Sequence, residues 1–372
     1  MTLTTVPQRL NALRDGMQKH KFDAYIVTNN DPHASEYSAD YWLARQWISG
    51  FTGSAGDVVV TQDGGGLWTD GRYYIQGAEQ IEGSGLSLFK ARLAETPTIA
   101  QWLAQTLPEN ATVGVDGRSI SKQFFDELTS AFADKSIRVV LEDDLISPIW
   151  HDRPSRPTAP VFNHPIEVAG LTCGEKVAQI RQYLNDQKAD ALLISTLDDV
   201  MWTLNIRGGD TAYCPISEGY LLVDKQSCRL FIDNRKLTQQ VVAALEESQV
   251  HIHDYEHLST ALNLIEKGAR VIYTAKNCDS LLASQIKSEL CLLDRPCPVT
   301  LMKAQKNSTE LASMEETLRQ DGVAVVKFMQ WLDEQVPSGK VTELNAELQL
   351  MGYRKQIDGY LGESFRTIAG FA

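Results

Sequence analysis

Cysteine is sparse and scattered in this chain. Its six residues, Cys173, Cys214, Cys228, Cys278, Cys291 and Cys297, form no close CxxC pair. That spacing encodes neither a compact zinc ribbon nor a dithiol redox motif. The thiols read as reduced and mostly structural, with zinc ligation or a disulfide set as the alternative. Long apolar runs are missing as well. No stretch approaches the roughly 18 uninterrupted apolar residues that a membrane span needs. Residues 1–20 carry Arg9, Arg14 and Lys19 and lack the apolar core of a signal peptide. Positive charge is in deficit: 35 Lys and Arg stand against 48 Asp and Glu, a formal charge of -13. A net negative surface disfavours nucleic-acid phosphates and anionic membranes. The expectation is a cytoplasmic protein with neither kind of partner. Also absent are HExxH, the Walker loop and the nucleophile elbow.

What is present is a sentence said twice. Ala24-Tyr25-Ile26-Val27-Thr28 is echoed by Ala191-Leu192-Leu193-Ile194-Ser195, and Trp68-Thr69-Asp70-Gly71-Arg72 by Phe231-Ile232-Asp233-Asn234-Arg235. The spacing between the echoes is nearly constant, and each copy alternates apolar strand patterns with helical ones. Two α/β units in tandem are therefore expected, each with a mixed or parallel sheet. Pro148, Pro154, Pro157, Pro160 and Pro165 mark a linker between them, because repeated prolines remove backbone donors and prevent a continuous helix or strand. The expected division is residues 1–155, residues 156–303 and a third segment, 304–372. That segment opens at Asn307 with Glu310 three residues on, a capping-box pattern. Leu311, Met314, Leu318 and Val325 then give the long helix an apolar face, and a second helix spans about Val341 to Leu350. Ser364 to Ala372 reads as a strand just beginning. Two helices and one strand leave apolar surface uncovered, so the expectation is a truncated third domain.

No local motif specifies a reaction. His33, beside Asp31 and Glu36, is either a capped turn residue or a contact to substrate or a neighbouring subunit. Asp70 and Arg72 form either an Asp–Arg strut at a strand-to-helix turn or a site for a carboxylate. The second copy, Asp233 and Arg235, favours the strut, since a catalytic pair has no need of duplication. Ser49-Gly50-Phe51-Thr52-Gly53-Ser54-Ala55-Gly56 reads as a close-packed loop, with anion contact as the alternative. His251, His253 and His257 are surface histidines or a weak metal clip.

Taken together, Ser35-Glu36-Tyr37, the Ser49–Gly56 loop, Trp68-Thr69-Asp70-Gly71-Arg72-Tyr73, Trp202, Leu204, Asn205, Arg207-Gly208, Asp210, Lys306-Asn307, Glu310 and Ser364-Phe365 carry a resemblance. Over essentially its whole length the chain resembles the N-terminal portion of the cytosolic three-domain Xaa-Pro aminopeptidases, in the creatinase/prolidase or "pita-bread" group. The resemblance implies two creatinase N-terminal-like domains with mixed sheets flanked by helices, then the start of a pita-bread catalytic domain. It implies removal of the first residue from peptides with proline at position two, two divalent ions, typically Mn2+, held by two Asp, one His and two Glu, and a homodimer. Asp321, Asp333 and Asp358 do not match those ligand motifs, so no catalytic residue and no metal ligand is assigned to this chain. It is expected to be inactive alone and to serve dimerisation and active-site access. His33, Arg72 and Trp68 are the expected contacts at the entrance or the dimer, and Asp70, Asp233 and Arg235 the structural turn residues. A noncatalytic interaction or regulatory protein from the same lineage, and a creatinase-like amidinohydrolase, remain as alternatives.

Overall fold

The computed structural model describes residues 4–141 and 144–370. Residues 1–3, 142, 143, 371 and 372, which include the outer ends of the expected first and third segments, lie outside the described residues.

The first helix, Val6–His20, begins at a capping box between Thr5 and Gln8 and buries Leu10, Leu13 and Met17. The chain then enters β1 (Ala24–Val27), whose four residues are all buried. β2 (Asp57–Thr61) and β3 (Gly65–Thr69) form a hairpin, followed by β4 (Ser87–Lys90), β5 (Thr112–Val115) and β6 (Arg138–Val140). Their spatial order is β4-β3-β2-β1-β5-β6. β1 runs antiparallel to β2 and parallel to β5, so the sheet is mixed. Side chains alternate across it with period two. Tyr25, Val27, Val58 and Val60 enter one core, while Ala24, Ile26, Val59 and Trp68 enter the other.

The second half repeats this plan. β7 (Phe162–Asn163) pairs with β9 (Ile206–Arg207) and stitches the linker to the unit that follows it. β8 (Ala191–Ile194), β10 (Gly219–Asp224), β11 (Cys228–Ile232), β12 (Val250–His253), β13 (Arg270–Tyr273) and β14 (Cys291–Asp294) take the order β12-β11-β10-β8-β13-β14. Strand for strand, the directions match those of the first sheet. The edge strands β4 and β14 escape sequence reading. Each is exposed at its first and last residue and too short to display an alternating pattern.

The two units meet through main chain as well as side chains. Lys122 N–H donates to the Cys278 carbonyl at 2.8 Å, Ser280 N–H to Ile120 at 2.8 Å, and Leu281 N–H to Gly117 at 3.1 Å. The linker crosses this join. The Arg153 guanidinium lies 3.8 Å from the Tyr41 ring centre, and Arg156 pairs with Glu218 at 3.2 Å and Glu256 at 3.0 Å.

The last segment is two helices, Ser308–Gln335 and Glu343–Arg354. Arg354 ties them together through Asp321 at 2.7 Å and anchors the following turn through Glu363 at 2.6 Å. Of their residues only Ala324 is buried, while Leu318 and Val326 are 63% and 65% exposed. Residues 364–370 form no strand, which corrects the expectation for that stretch. An extended segment becomes a strand only when a neighbour completes its hydrogen-bond ladder, and none of the described strands pairs with it.

Candidate functional site

A cleft of about 1360 Å³ opens between the first unit, the Gly209–Cys214 loop of the second unit and the Ser364–Ile368 tail. Three local structures shape it. The first is the loop after the Ala44–Ser49 helix. Arg45, 2% exposed, aims its guanidinium into that loop and donates to Phe51 O at 2.5 Å, to Gly53 O at 2.6 Å and to Asn29 Oδ1. Burial lowers its pKa to about 10. The loop thus turns carbonyls inward onto a cation of its own chain, the wrong polarity for an anion cradle on that side. Gly53 is required there, since a Cβ would stand 2.2 Å from Phe51 Cζ. Arg45→Lys keeps the charge and loses the planar fork. The expected cost is about 1.5–3 kcal/mol, the scale of a charged hydrogen bond, read as a lower denaturation midpoint for the first unit.

The second structure is the β3 exit. Asp70 accepts from Arg72 N–H at 3.1 Å and caps the short helix that follows. Arg72 closes a fork on the same carboxylate, Nε to Oδ1 at 3.0 Å and Nη2 to Oδ2 at 2.8 Å. This hydrogen bonding by Arg72 holds the Asp70 carboxyl below its ordinary range. Arg72 itself lies on the cleft wall with a 64% exposed side chain. The second copy has the same geometry: Arg235 Nη2 meets Asp233 Oδ2 at 2.5 Å, and Asp233 caps the next short helix. The third structure is an aromatic pair across the cleft, Tyr37 of the first unit and Tyr213 of the second, with ring centres 5.3 Å apart.

Two of the residues expected at the entrance or the dimer are buried in this arrangement. His33 is 1% exposed and faces the second unit rather than solvent. The turn at Asp31, which accepts His33 N–H at 2.9 Å, brings the ring inward onto the Ser195 carbonyl and the Tyr255 hydroxyl. Trp68 is 5% exposed, stacked at 4.0 Å on Phe89 and bonded through Nε1 to Pro97 O. As a residue of β3 its side chain points into the core beneath the sheet. Neither ring is available to a ligand or a second subunit in this arrangement. Arg72 alone of the three lines the cleft.

Sequence reasoning passed over the polar groups that fix the frame of the site. Lys176, 1% exposed, donates to Trp202 O at 2.8 Å and Asn205 Oδ1 at 2.6 Å and lies 4.0 Å from the Trp202 ring centre. Burial draws its pKa down to about 8. Trp202 Nε1 donates in turn to Glu310 Oε1 at 3.0 Å. Glu310 also completes the capping box of the long helix with Asn307. The only sequence signal for Lys176 was its place on a helix face between apolar Cys173, Val177 and Ile180.

Residues 9–143 and residues 152–310 each match the model of the creatinase/prolidase N-terminal domain. The chain belongs to the creatinase/prolidase family. Within that family it is 31% identical to Aminopeptidase P2 of Arabidopsis thaliana, over 99% of this chain and 57% of the plant protein. It is 34% identical to Xaa-Pro aminopeptidase ApepP of Drosophila melanogaster, over 93% of this chain and 57% of the fly protein. The crystal structure of X-prolyl aminopeptidase from Caenorhabditis elegans, described as a cytosolic enzyme with a di-nuclear active site, superposes with a TM-score of 0.93 at 31% identity. That match covers 99% of this chain and 62% of the nematode one. The chain thus spans about three-fifths of the length of these relatives.

The described residues do not fit a dinuclear metal centre. Among the described residues no group of three or more His, Cys, Asp or Glu is placed to hold a metal ion. Asp321 is bound to Arg354, and His253 stacks on Phe231 at 5.3 Å. The six cysteines are free thiols. Among the described residues no helix is long and apolar enough to cross a membrane.

Proposed function

We propose that this chain serves a cytoplasmic Xaa-Pro aminopeptidase, one that removes the first residue from peptides with proline in second place. Its share is the approach to the reaction and the dimer contact rather than the chemistry. The single observation that carries this reading is the near-complete structural match to the nematode X-prolyl aminopeptidase. The cleft supports it: its walls come from both units and the tail, and Arg72 stands exposed on one of them. A guanidinium there can hold a peptide carboxylate in a planar fork while staying anchored by Asp70. The two halves divide the labour, since Asp233 and Arg235 repeat the fork but lie outside the residues lining the cleft. The dinuclear ions, manganese in this reading, would supply Lewis-acid activation of the scissile carbonyl. The described residues of this chain contribute no ligand set to them.

The test is the native gene product. Its intact mass is measured, and Mn2+-dependent release of the first residue from an Xaa-Pro peptide is followed for it and for the 372-residue chain. Release by the native product and none by the 372-residue chain is expected. Release by the chain alone would overturn the division between access and chemistry. No release by the native product would overturn the peptidase reading and favour an interaction protein of the same family.

A further inference from the structure

Two ionisable side chains are buried at the join between the α/β units without forming an ion pair with each other. His33 comes from the loop after β1. Its Nδ1 lies 2.8 Å from the Ser195 carbonyl and its Nε2 2.9 Å from the Tyr255 hydroxyl. A carbonyl only accepts, so Nδ1 carries the proton and Nε2 accepts from Tyr255 O–H. Both nitrogens are satisfied by the neutral ring. The Tyr220 ring lies 4.3 Å from the imidazole, centre to centre, and its hydroxyl donates to Asp279 Oδ2 at 3.1 Å on the far side. Asp279, 5% exposed, accepts from Leu282 N–H at 2.8 Å and sits where the second unit forms a β-bridge to Ser121 of the first. The join is thus closed at one end over His33 and at the other over Asp279.

We propose that His33 and Asp279 form a pH-sensitive clamp on the join, held best when each is uncharged and weakened by the buried charge that titration of either one creates. The surroundings of each group show why burial wins. His33 faces Asp31 and Glu218, which favour its protonation, and Arg156, which opposes it. Desolvation, the largest influence, acts with Arg156 against Asp31, Glu218 and the Ser195 carbonyl and lowers its pKa from 6.5. Asp279 faces donors on Leu282 and Tyr220 and the cation Arg118, with Asp116 opposing. Desolvation again prevails and raises it to about 7. Asp116 is itself raised to about 6 by burial and by Asp144, but its bond to Arg118 N–H at 3.0 Å lies within the first unit's own turn.

The signs follow from linkage. The closed join binds the Asp279 proton more tightly than the open join does. Its stability therefore falls as pH rises from the ordinary carboxylate range to about 7, and is level above that. The closed join binds the His33 proton less tightly. The stability due to neutral His33 is complete above 6.5 and is lost as pH falls below it. Between the lowered His33 value and 6.5 the two slopes oppose each other, so the pair buffers the join against mild acid, and the net loss falls between 6.5 and about 7, where the Asp279 slope alone remains. Because Tyr37 and Tyr213 face each other across the cleft from opposite units, release of the join widens the cleft. The clamp stands or falls independently of whether that cleft admits peptides.

Hydrogen exchange at the join amides Lys122, Ser280 and Leu281, corrected for intrinsic rates, tests this between pH 5 and 8.5. Relative to the parent, Asp279→Asn should gain protection with rising pH, by up to about tenfold per pH unit below 7, the limit for one proton, and level off above. His33→Gln should gain relative protection as pH falls below 6.5. Amides of the β1–β5 pairing serve as the internal standard for folding and should show neither trend. If Asp279→Asn does not fold, Tyr220→Phe removes only the hydroxyl donor to the carboxylate and should move the loss to higher pH. Variant profiles that run parallel to the parent's at every pH would overturn the clamp.

Discussion

Replacing Lys236 by methionine is expected to destabilise the second unit by about 3–5 kcal/mol, the usual result of stripping one partner from a buried ion pair. Lys236 Nζ lies 2.6 Å from Asp210 Oδ2, and the two side chains are 2% and 0% exposed. The same oxygen accepts from Ser217 Oγ at 2.9 Å and from Glu218 N–H at 2.8 Å. Methionine fills comparable volume but leaves the carboxylate without its cation in a low-dielectric site. Urea denaturation should show the loss in the second unit first. A chain of two cored units need not unfold in one step, so each transition is fitted separately. Adding Asp210→Asn to Lys236→Met should recover part of the loss, since the uncompensated charge is then gone. A single variant that unfolds at the parent's midpoint would show that water already reaches Asp210. The effect should also be felt at the join, because Glu218 accepts from Trp42 Nε1 at 2.7 Å on the other unit.

Trp202→Ala is expected to cost a further kind of order, at about 3–5 kcal/mol for deleting a buried indole. It removes the ring that covers Lys176 and the N–H that holds Glu310. Trp202→Phe separates the two contributions. Most of the apolar contact and the ring face persist, and only the hydrogen bond to Glu310 is lost, worth about 1.5–3 kcal/mol for a charged acceptor. The measurement is thermal unfolding together with limited proteolysis between residues 304 and 310. Faster cleavage there in both variants, with an intact first unit, is the expected pattern. Equal cleavage in parent and Trp202→Phe would show that the capping box alone holds the start of the long helix.

The tandem α/β plan was legible because each strand that carries the repeat is central and buried. β1 and β8 are uninterrupted apolar runs, and the echo of Asp70–Arg72 in Asp233–Arg235 marks the same strand exit in both halves. The capping box at Asn307 and Glu310 was legible for the same local reason: both partners lie within four residues of one another. What escaped was everything decided by distant partners. His33 read as either a capped turn residue or an outward contact because Ser195 and Tyr255, which receive it, are far along the chain. Trp68 looked like part of a surface motif because the Phe89 and Trp102 rings that enclose it come from segments with no strong pattern. Lys236 and Asp279 carried no sequence signal, and Lys176 only its place on an apolar helix face. Burial of a charge is a property of the assembled fold, and no periodicity in a single segment encodes it.

The contact between Glu310 and Trp202 has a mechanical consequence. The helix that starts there is 28 residues long, which at 1.5 Å per residue makes an arm of about 42 Å. A swing of about 5° at its first turn would carry the far end through roughly 4 Å, more than the spacing that separates a hydrogen bond from none. One residue that both closes the capping box and accepts the indole N–H therefore does the work of a bearing, setting the direction of the whole arm from its root.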